Sequence, residues 1–403
     1  MELFTIALEN LRNRKKRAYL TIIGVFIGIM AVVALVSLGQ GLQAGVNEQF
    51  SKLGIDKVFV APTTVPGGAS ITEIGNRDLN RIKNVAGVIE VAGYRAKTAK
   101  IDWSQTTVYQ TVSEIPEGNV ERALIVESLT IEIEEGRLLE SGDKLRVVIG
   151  SGYTDDTVYT DPLSVGRTII INNASATIVG ILKKIGDPGL DNGVFVPTVL
   201  YKQVFPAESA ADSYSTVIVR VAKGEQASQV SENIKESLRR FRGQKPGEED
   251  FTVQTTEDIK ESFDKILGII QTVLFGIAMI SLLVGAIGIM NTMYTAVLER
   301  TKEIGIMKAI GASNEAILSI FLIESALLGF VGGAVGCILG LGISFIASII
   351  ATQVLGTTII QFVLSWWLIV GALAFGTIIG AIAGFFPARA AAQQKPVDSL
   401  RYE

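Results

Sequence analysis

Hydrophobic and polar positions divide the chain into blocks of unlike period. No charge interrupts Leu20 to Leu38, Ile266 to Leu298, or the 64 residues from Ser325 to Ala388. Runs of this length match the ~20 apolar residues that carry a helix across ~30 Å of hydrocarbon. As one helix the third run would extend about 96 Å at ~1.5 Å per residue. It must therefore fold back, and the turn falls at Gln353 to Thr358, with Trp366 and Trp367 anchoring the returning helix at the interface. The pattern predicts four transmembrane helices, within 19–39, 266–298, 316–350 and 366–387, and an outer turn over 351–365. The second run would make ~50 Å of helix, more than the bilayer needs. It follows a helix-forming stretch from a capping Thr256 to Lys265, so it is expected to continue outward as a stalk.

Between the first and second runs the signal becomes that of short strands. Lys57–Ala61, Arg146–Ile149, Thr168–Asn172 and Ala176–Leu182 are rich in β-branched residues, and an Asn-rich turn joins the last two as a hairpin. Strand–helix–strand patterns occur at 56–61, 76–83 and 87–92, and again at 216–221, 226–241 and 250–254. The expected fold is an α-helical membrane protein with four transmembrane helices and an extracytoplasmic domain between spans one and two. Within that domain (40–265), residues 40–115 and 215–265 form an α/β part, and 116–214 a β-rich insertion.

Composition narrows the chemistry. Only 19% of residues are charged and 48% are hydrophobic, against ~25% charge in soluble chains. The absence of His removes His-based zinc sites and Ser-His-Asp triads. No Gly-Lys dipeptide occurs, so the chain holds no phosphate loop of the G-x-x-x-x-G-K-[ST] kind. A single cysteine, Cys337, permits no internal disulfide, and a net charge of −4 gives no footprint for nucleic acid. Glu324 is the one acid inside a span, and its nearness to the helix start suggests that it reaches the interface or the first-turn amides.

Charge placement sets the orientation. Arg12, Arg14, Lys15, Lys16 and Arg17 precede the first span; Arg300, Lys302 and Lys308 lie between the second and third; Arg389, Lys395 and Arg401 follow the fourth. The positive-inside rule places both termini and the 299–315 loop in the cytoplasm, at the plasma membrane. Residues 1–18 are expected to form a cytoplasmic amphipathic helix and 388–403 a cytoplasmic tail. In the 299–315 loop, Ile306 and Ile310 share a helical face beside Glu299, Lys302 and Glu303; Gly311 is a plausible stop and Ser313 a cap. Such a helix either receives a push from a soluble partner or rests on lipid headgroups.

The segment Glu299-Arg-Thr-Lys-Glu-Ile-Gly-Ile-Met-Lys-Ala-Ile-Gly-Ala-Ser313 resembles the signature of MacB/FtsX-like permease subunits of ABC transporters. Ala7 to Gly24, Gly384 to Ala392 and Pro396 to Glu403 resemble the family's N-terminal and C-terminal segments, with departures at Ala390 and at Asp398-Ser399. The resemblance implies a homodimer paired with a separate ABC ATPase, which would bind ATP and Mg; this chain would need no cofactor and no catalytic residue. It also implies that the loop helix docks on the ATPase through Glu299, Arg300, Lys302, Glu303, Ile304, Gly305, Met307, Lys308, Ile310 and Gly311, with Ile304, Met307 and Ile310 filling the groove.

Glycines recur at four-residue spacing in Gly24/Gly28, Gly332/Gly336/Gly340 and Gly376/Gly380/Gly384, which lets helix backbones approach. For the last two sets, packing within one subunit is favoured over a dimer seam, because a short turn joins spans three and four. Two function classes stay open. One is export of amphipathic small molecules or peptides such as antibiotics, favoured by family frequency. The other is mechanical signalling to an extracellular protein such as a hydrolase, with lipoprotein release between the two. An extracellular protein or outer component is a further candidate partner.

Overall fold

The computed structural model describes residues 15–63, 73–206, 212–354 and 360–395. The expected N-terminal amphipathic helix (1–18), the end of the tail and the centre of the outer turn lie wholly or largely outside the described residues. Two compact units emerge, one built from residues 45–264, the other from those up to Ala44, Lys265–Ala351 and those from Ile360 on.

In chain order, helix α1 (Lys15–Leu53) leads to strand β1 (Lys57–Pro62), β2 (Ile74–Gly75), α2 (Asn76–Lys83) and β3 (Val88–Tyr94). Then come β4 (Ala96–Trp103), β5 (Thr106–Ile115), α3 (Asn119–Ser128), β6 (Ile133–Gly136), β7 (Arg146–Ile149), β8 (Thr168–Ile171) and β9 (Ala174–Leu182). These are followed by α4 (Pro188–Asp191), β10 (Val194–Pro197), α5 (Thr198–Val204), β11 (Ser213–Tyr214), β12 (Thr216–Val221), α6 (Ala227–Arg242) and β13 (Phe251–Thr255). The chain closes with α7 (Thr256–Glu299), α8 (Thr301–Ala309), α9 (Asn314–Val354) and α10 (Trp366–Ala392).

Strands β13, β1, β12 and β3 form an antiparallel sheet in that order. Successive side chains of a strand point to opposite faces. Val217, Val219 and Val221 of β12 accordingly pack with Ile82 of α2 and with Val230, Ile234 and Leu238 of α6. Ile218 joins Leu124 and Ile125 of α3 in a separate core on the other face. Both faces are covered, which is why β12 reads as an almost unbroken apolar run.

The insertion is larger than the sequence suggested. It begins at Ala96 rather than residue 116, because β4 and β5 pair along their whole length and belong to the second sheet. Its strand order is β6-β9-β7-β10-β5-β4-β8, and β8 also pairs with β9, so six of the seven strands close on themselves. Closure leaves those strands without a free edge. The interior is filled by Ile101, Trp103, Val112, Ile149, Tyr153, Ile169, Ile178 and Val196. The hairpin of β4 and β5 is weakly marked in the sequence because its outer face carries Thr98, Lys100, Thr107 and Tyr109, while the buried face is spread among Ala99, Ile101 and Val112. Arg95, the single residue between β3 and β4, is buried. It donates to Glu114 Oε2 (2.7 Å) and to the Ser213 carbonyl (2.9 Å), and its guanidinium lies 4.3 Å from the Tyr214 ring centre.

Among the described residues, four helices are long and apolar enough to cross a membrane: Phe26–Ser51 within α1, Thr256–Glu299, Asn314–Gln353 and Trp366–Ala392. Helix α7 reaches 44 residues, about 66 Å at ~1.5 Å per residue. Its cap is Thr255 rather than the expected Thr256. The Thr255 hydroxyl accepts from Asp258 N (3.0 Å) and Asp258 accepts from Thr255 N (2.8 Å), a reciprocal capping box.

Small residues set the packing of the spans. A Cβ on Gly336 would stand 2.7 Å from the Phe26 carbonyl oxygen and one on Gly340 2.8 Å from that of Met30, both on α1. Ser37 and Ser344 share a buried hydrogen bond of 2.9 Å between the same two helices. Gly376 lies against Gly329, Gly380 against Gly329 and Ser325, and Gly384 against Ser325, all on α9. Gly28 meets Leu282 of α7, with Cβ to Cα at 3.1 Å. Gly332 is buried in α9, and Gly24 lies within α1. The 376–384 series faces α9, whereas Gly336 and Gly340 face α1 rather than the helix that follows them in sequence.

Candidate functional site

The connector between α7 and α9 is built around α8. The long helix ends where Arg300 leaves helical geometry, at φ −104° and ψ 15°. Gly311 takes φ +105°, a conformation open to glycine and costly for other residues. Ser313 Oγ then accepts from Ala316 N at 3.2 Å and caps α9. The connector is therefore a nine-residue helix with defined stops at both ends.

Its inward side is fixed by three kinds of contact. Ile304 is fully buried, and half-buried Met307 packs on the same core, which includes Met293, Val297, Ile317, Phe321, Ala388 and Ala391. Gly305 is buried beside Ile304. At one end Arg300 Nη1 donates to Glu324 Oε2 of α9 at 3.1 Å, and both residues are buried. At the other, Lys308 Nζ donates to the carbonyls of Ala392 (2.6 Å) and Gln394 (2.7 Å), at the C-terminus of α10. A cation there complements the helix dipole.

The outward side is one stripe. Glu299, Lys302, Glu303, Ile306 and Ile310 are exposed, with Ile306 at 48% and Ile310 at 81%. Their spacing matches a single amphipathic face. Gly311 is exposed beside them. This divides the sequence-derived set. Glu299, Lys302, Glu303, Ile310 and Gly311 are exposed, whereas Arg300, Ile304, Gly305, Met307 and Lys308 hold the helix to its own bundle. Ile304 is fully buried in the chain's own core, contrary to its expected place in a partner's groove; half-buried Met307 packs on the same core, and the exposed apolar pair is Ile306 and Ile310. Sequence reasoning also left Glu324 to the interface, whereas it pairs with Arg300. An isolated acid in an apolar run and an arginine in the preceding loop were the available signal.

Two family models match the chain: a MacB-like periplasmic core domain over residues 18–237 and an FtsX-like permease C-terminal over residues 275–396. An uncharacterized ABC transporter permease of Methanocaldococcus jannaschii is 36% identical over 407 residues, covering 100% of this chain and 98% of that one. The uncharacterized ABC transporter permease YknZ of Bacillus subtilis is 31% identical over 414 residues, covering 100% and 99%. The macrolide export ATP-binding/permease protein MacB of Neisseria meningitidis is 30% identical over 410 residues, and the match covers 99% of this chain but 61% of that longer one. With both models matched and permease relatives aligned along its whole length, the chain belongs to the MacB/FtsX-like family of ABC transporter permeases and is a membrane protein with an extracytoplasmic domain.

Proposed function

We propose that this permease works as a homodimer that transmits ATP-driven motion of a separate ATPase subunit to its extracytoplasmic domain. Both termini and α8 lie in the cytoplasm in this reading, and ATP and Mg are bound by the ATPase. The observation that carries it is the exposed stripe of Lys302, Glu303, Ile306 and Ile310 along α8 and its C-cap, on a helix anchored at both ends. A partner pressing on Ile306 and Ile310 pushes on α9 through Arg300 and Glu324, and on α10 through Lys308. It also pushes on α7, which runs without a break from Glu299 to Thr256 beside the Thr255 cap.

The permease relatives support a separate ATPase, since they share this chain's length, whereas the longer MacB is named for ATP binding and permease together. The face of α7 bearing exposed Ile269, Val273 and Ile280, with open space beside Gly276, supports a second copy there.

The cargo in this reading is an amphipathic small molecule or peptide such as an antibiotic, exported from the outer side of the membrane. Support comes from the macrolide exporter among the relatives. It also comes from the pairing of buried polar groups inside the bundle with one another, Ser37 with Ser344 and Arg300 with Glu324. The test is efflux of a macrolide from cells carrying the permease with its ATPase, against an ATPase variant unable to hydrolyse ATP. ATP-dependent efflux supports export. Coupled ATP hydrolysis without efflux contradicts it and favours signalling to an extracellular hydrolase or lipoprotein release.

A further inference from the structure

The unit formed by residues 45–264 contains a cavity of about 470 Å³, within the ~300–1,000 Å³ range of small-molecule sites. Its walls come from the last turns of α1, the end of α3, the loop before α4 and the first turns of α7. Phe50 and Phe263 meet on one side, with ring centres 5.8 Å apart, and Ile185 and Leu190 lie on another. Phe263 stands three residues before the uncharged run that opens at Ile266, about 4.5 Å of helix rise.

Two polar features give this apolar cavity a preference. Ser128 lines it, is 2% exposed, and its hydroxyl has no hydrogen-bond partner within the protein. A buried hydroxyl without a partner is destabilising, so the site gains from any occupant that offers one. Asp187 is the only charged residue in the lining among the described residues. Its Oδ1 accepts from Gly189 N (2.7 Å) and Leu190 N (3.1 Å), which fixes the carboxylate at the cavity wall. With no cation among the lining residues, an anionic guest meets repulsion without compensation.

We infer that this cavity is a binding site for a neutral or cationic amphipathic small molecule, its apolar body against Phe50, Phe263 and Leu190 and its polar group toward Ser128 and Asp187. The inference deepens the export reading by placing a cargo site on the extracytoplasmic unit. It also stands as a binding site if export fails.

The experiment uses the full chain in nanodiscs of a neutral phospholipid, without ATPase. The probes are neutral N-phenylnaphthylamine and its anionic relative, anilinonaphthalene sulfonate. Expected is saturable binding of the neutral probe with at least tenfold preference over the anionic one. Leu190→Trp, which fills the cavity, should weaken neutral binding at least tenfold. Asp187→Asn, which keeps a capping side chain, should narrow the preference several-fold. Ser128→Ala, which removes a hydroxyl with no partner in the protein, should keep the fold and weaken binding of a hydrogen-bonding amphiphile. Equal binding of both probes, or neutral binding unchanged in Leu190→Trp and Ser128→Ala, would overturn the inference. So would a phospholipid retained stoichiometrically by the wild type and lost in Leu190→Trp with no probe bound, which would assign the cavity to a lipid chain. Probe binding without efflux would contradict export alone; efflux unaffected by Leu190→Trp, with no probe bound, would contradict the cavity site alone.

Discussion

Arg300 Nη1 and Glu324 Oε2 stand 3.1 Å apart in the interior of the span bundle, joining the connector helix to the helix that follows it. Removing one member of a buried ion pair leaves the other uncompensated and costs ~3–5 kcal/mol, whereas replacing both by apolar groups is often neutral or stabilising. Glu324→Gln and Arg300→Met should therefore each lower the thermal unfolding temperature of the purified permease. The double variant Arg300→Met/Glu324→Met should recover most of that loss. Three equally destabilised variants would mean that the pair acts through other contacts.

The glycines separate into two groups with opposite expected behaviour. Gly336→Leu forces a side chain into the Phe26 carbonyl and Ile29, so it should reduce the yield of folded protein in the membrane. Gly276→Leu adds a side chain on the proposed dimer face of α7, where nothing lies within 4 Å. It should leave the fold intact and change only the dimer fraction, read by crosslinking. Normal folding of Gly336→Leu would count against the α1–α9 contact.

A pH effect is expected in the extracytoplasmic unit. Lys57 is fully buried and its Nζ lies 2.9 Å from Glu127 Oε1. That bond holds the Glu127 carboxyl below the usual 4.5. A depressed folded value means that the stabilisation is present above pH ~4.5 and is lost as pH falls through the folded value. Arg167 and Ser104 act in the same direction on Asp161. Glu127→Gln should cost ~1–2 kcal/mol at neutral pH, less than a fully buried pair because Glu127 is half exposed and Asp56 stays within reach of Lys57. Its stability should also fall less steeply than the wild type's on acidification, measured by thermal melts between pH 7 and pH 3. Parallel curves for the two proteins would contradict this role.

The spans were legible because hydrocarbon imposes a length and a purity of sequence that no neighbour can alter. The unusual length of α7 was legible for the same reason: thirty-three uncharged residues exceed what a bilayer takes up, and the helix runs to 44 residues. Strands such as Lys57–Pro62 and Thr216–Val221 stood out through their β-branched runs. The hairpin Ala96–Ile115 did not, since its outer face is polar and its inner face needs partners from β8 and β10 to become a core. At the connector, the residue pattern marks an amphipathic segment without saying which side meets its own bundle. Ile304 and Ile306 are two residues apart, and only the packed helices decide that one is buried and the other exposed.

The exposed stripe predicts a separation between neighbouring isoleucines. Ile304→Asp buries a carboxylate in the span core and should abolish folded permease. Ile306→Asp and Ile310→Asp alter only exposed positions and should leave the permease folded, with an unchanged melting temperature. If Ile304→Asp folded normally, the inward assignment of that side chain would be wrong.

The most direct test of transmission through α8 is co-purification of the permease with its ATPase, together with the ATPase rate of the complex in nanodiscs. Ile306→Asp/Ile310→Asp should fold and insert as the wild type does, yet lose at least tenfold in ATPase recovered and show no permease-dependent change in hydrolysis. Full recovery of the ATPase with wild-type stimulation by that variant would contradict the account.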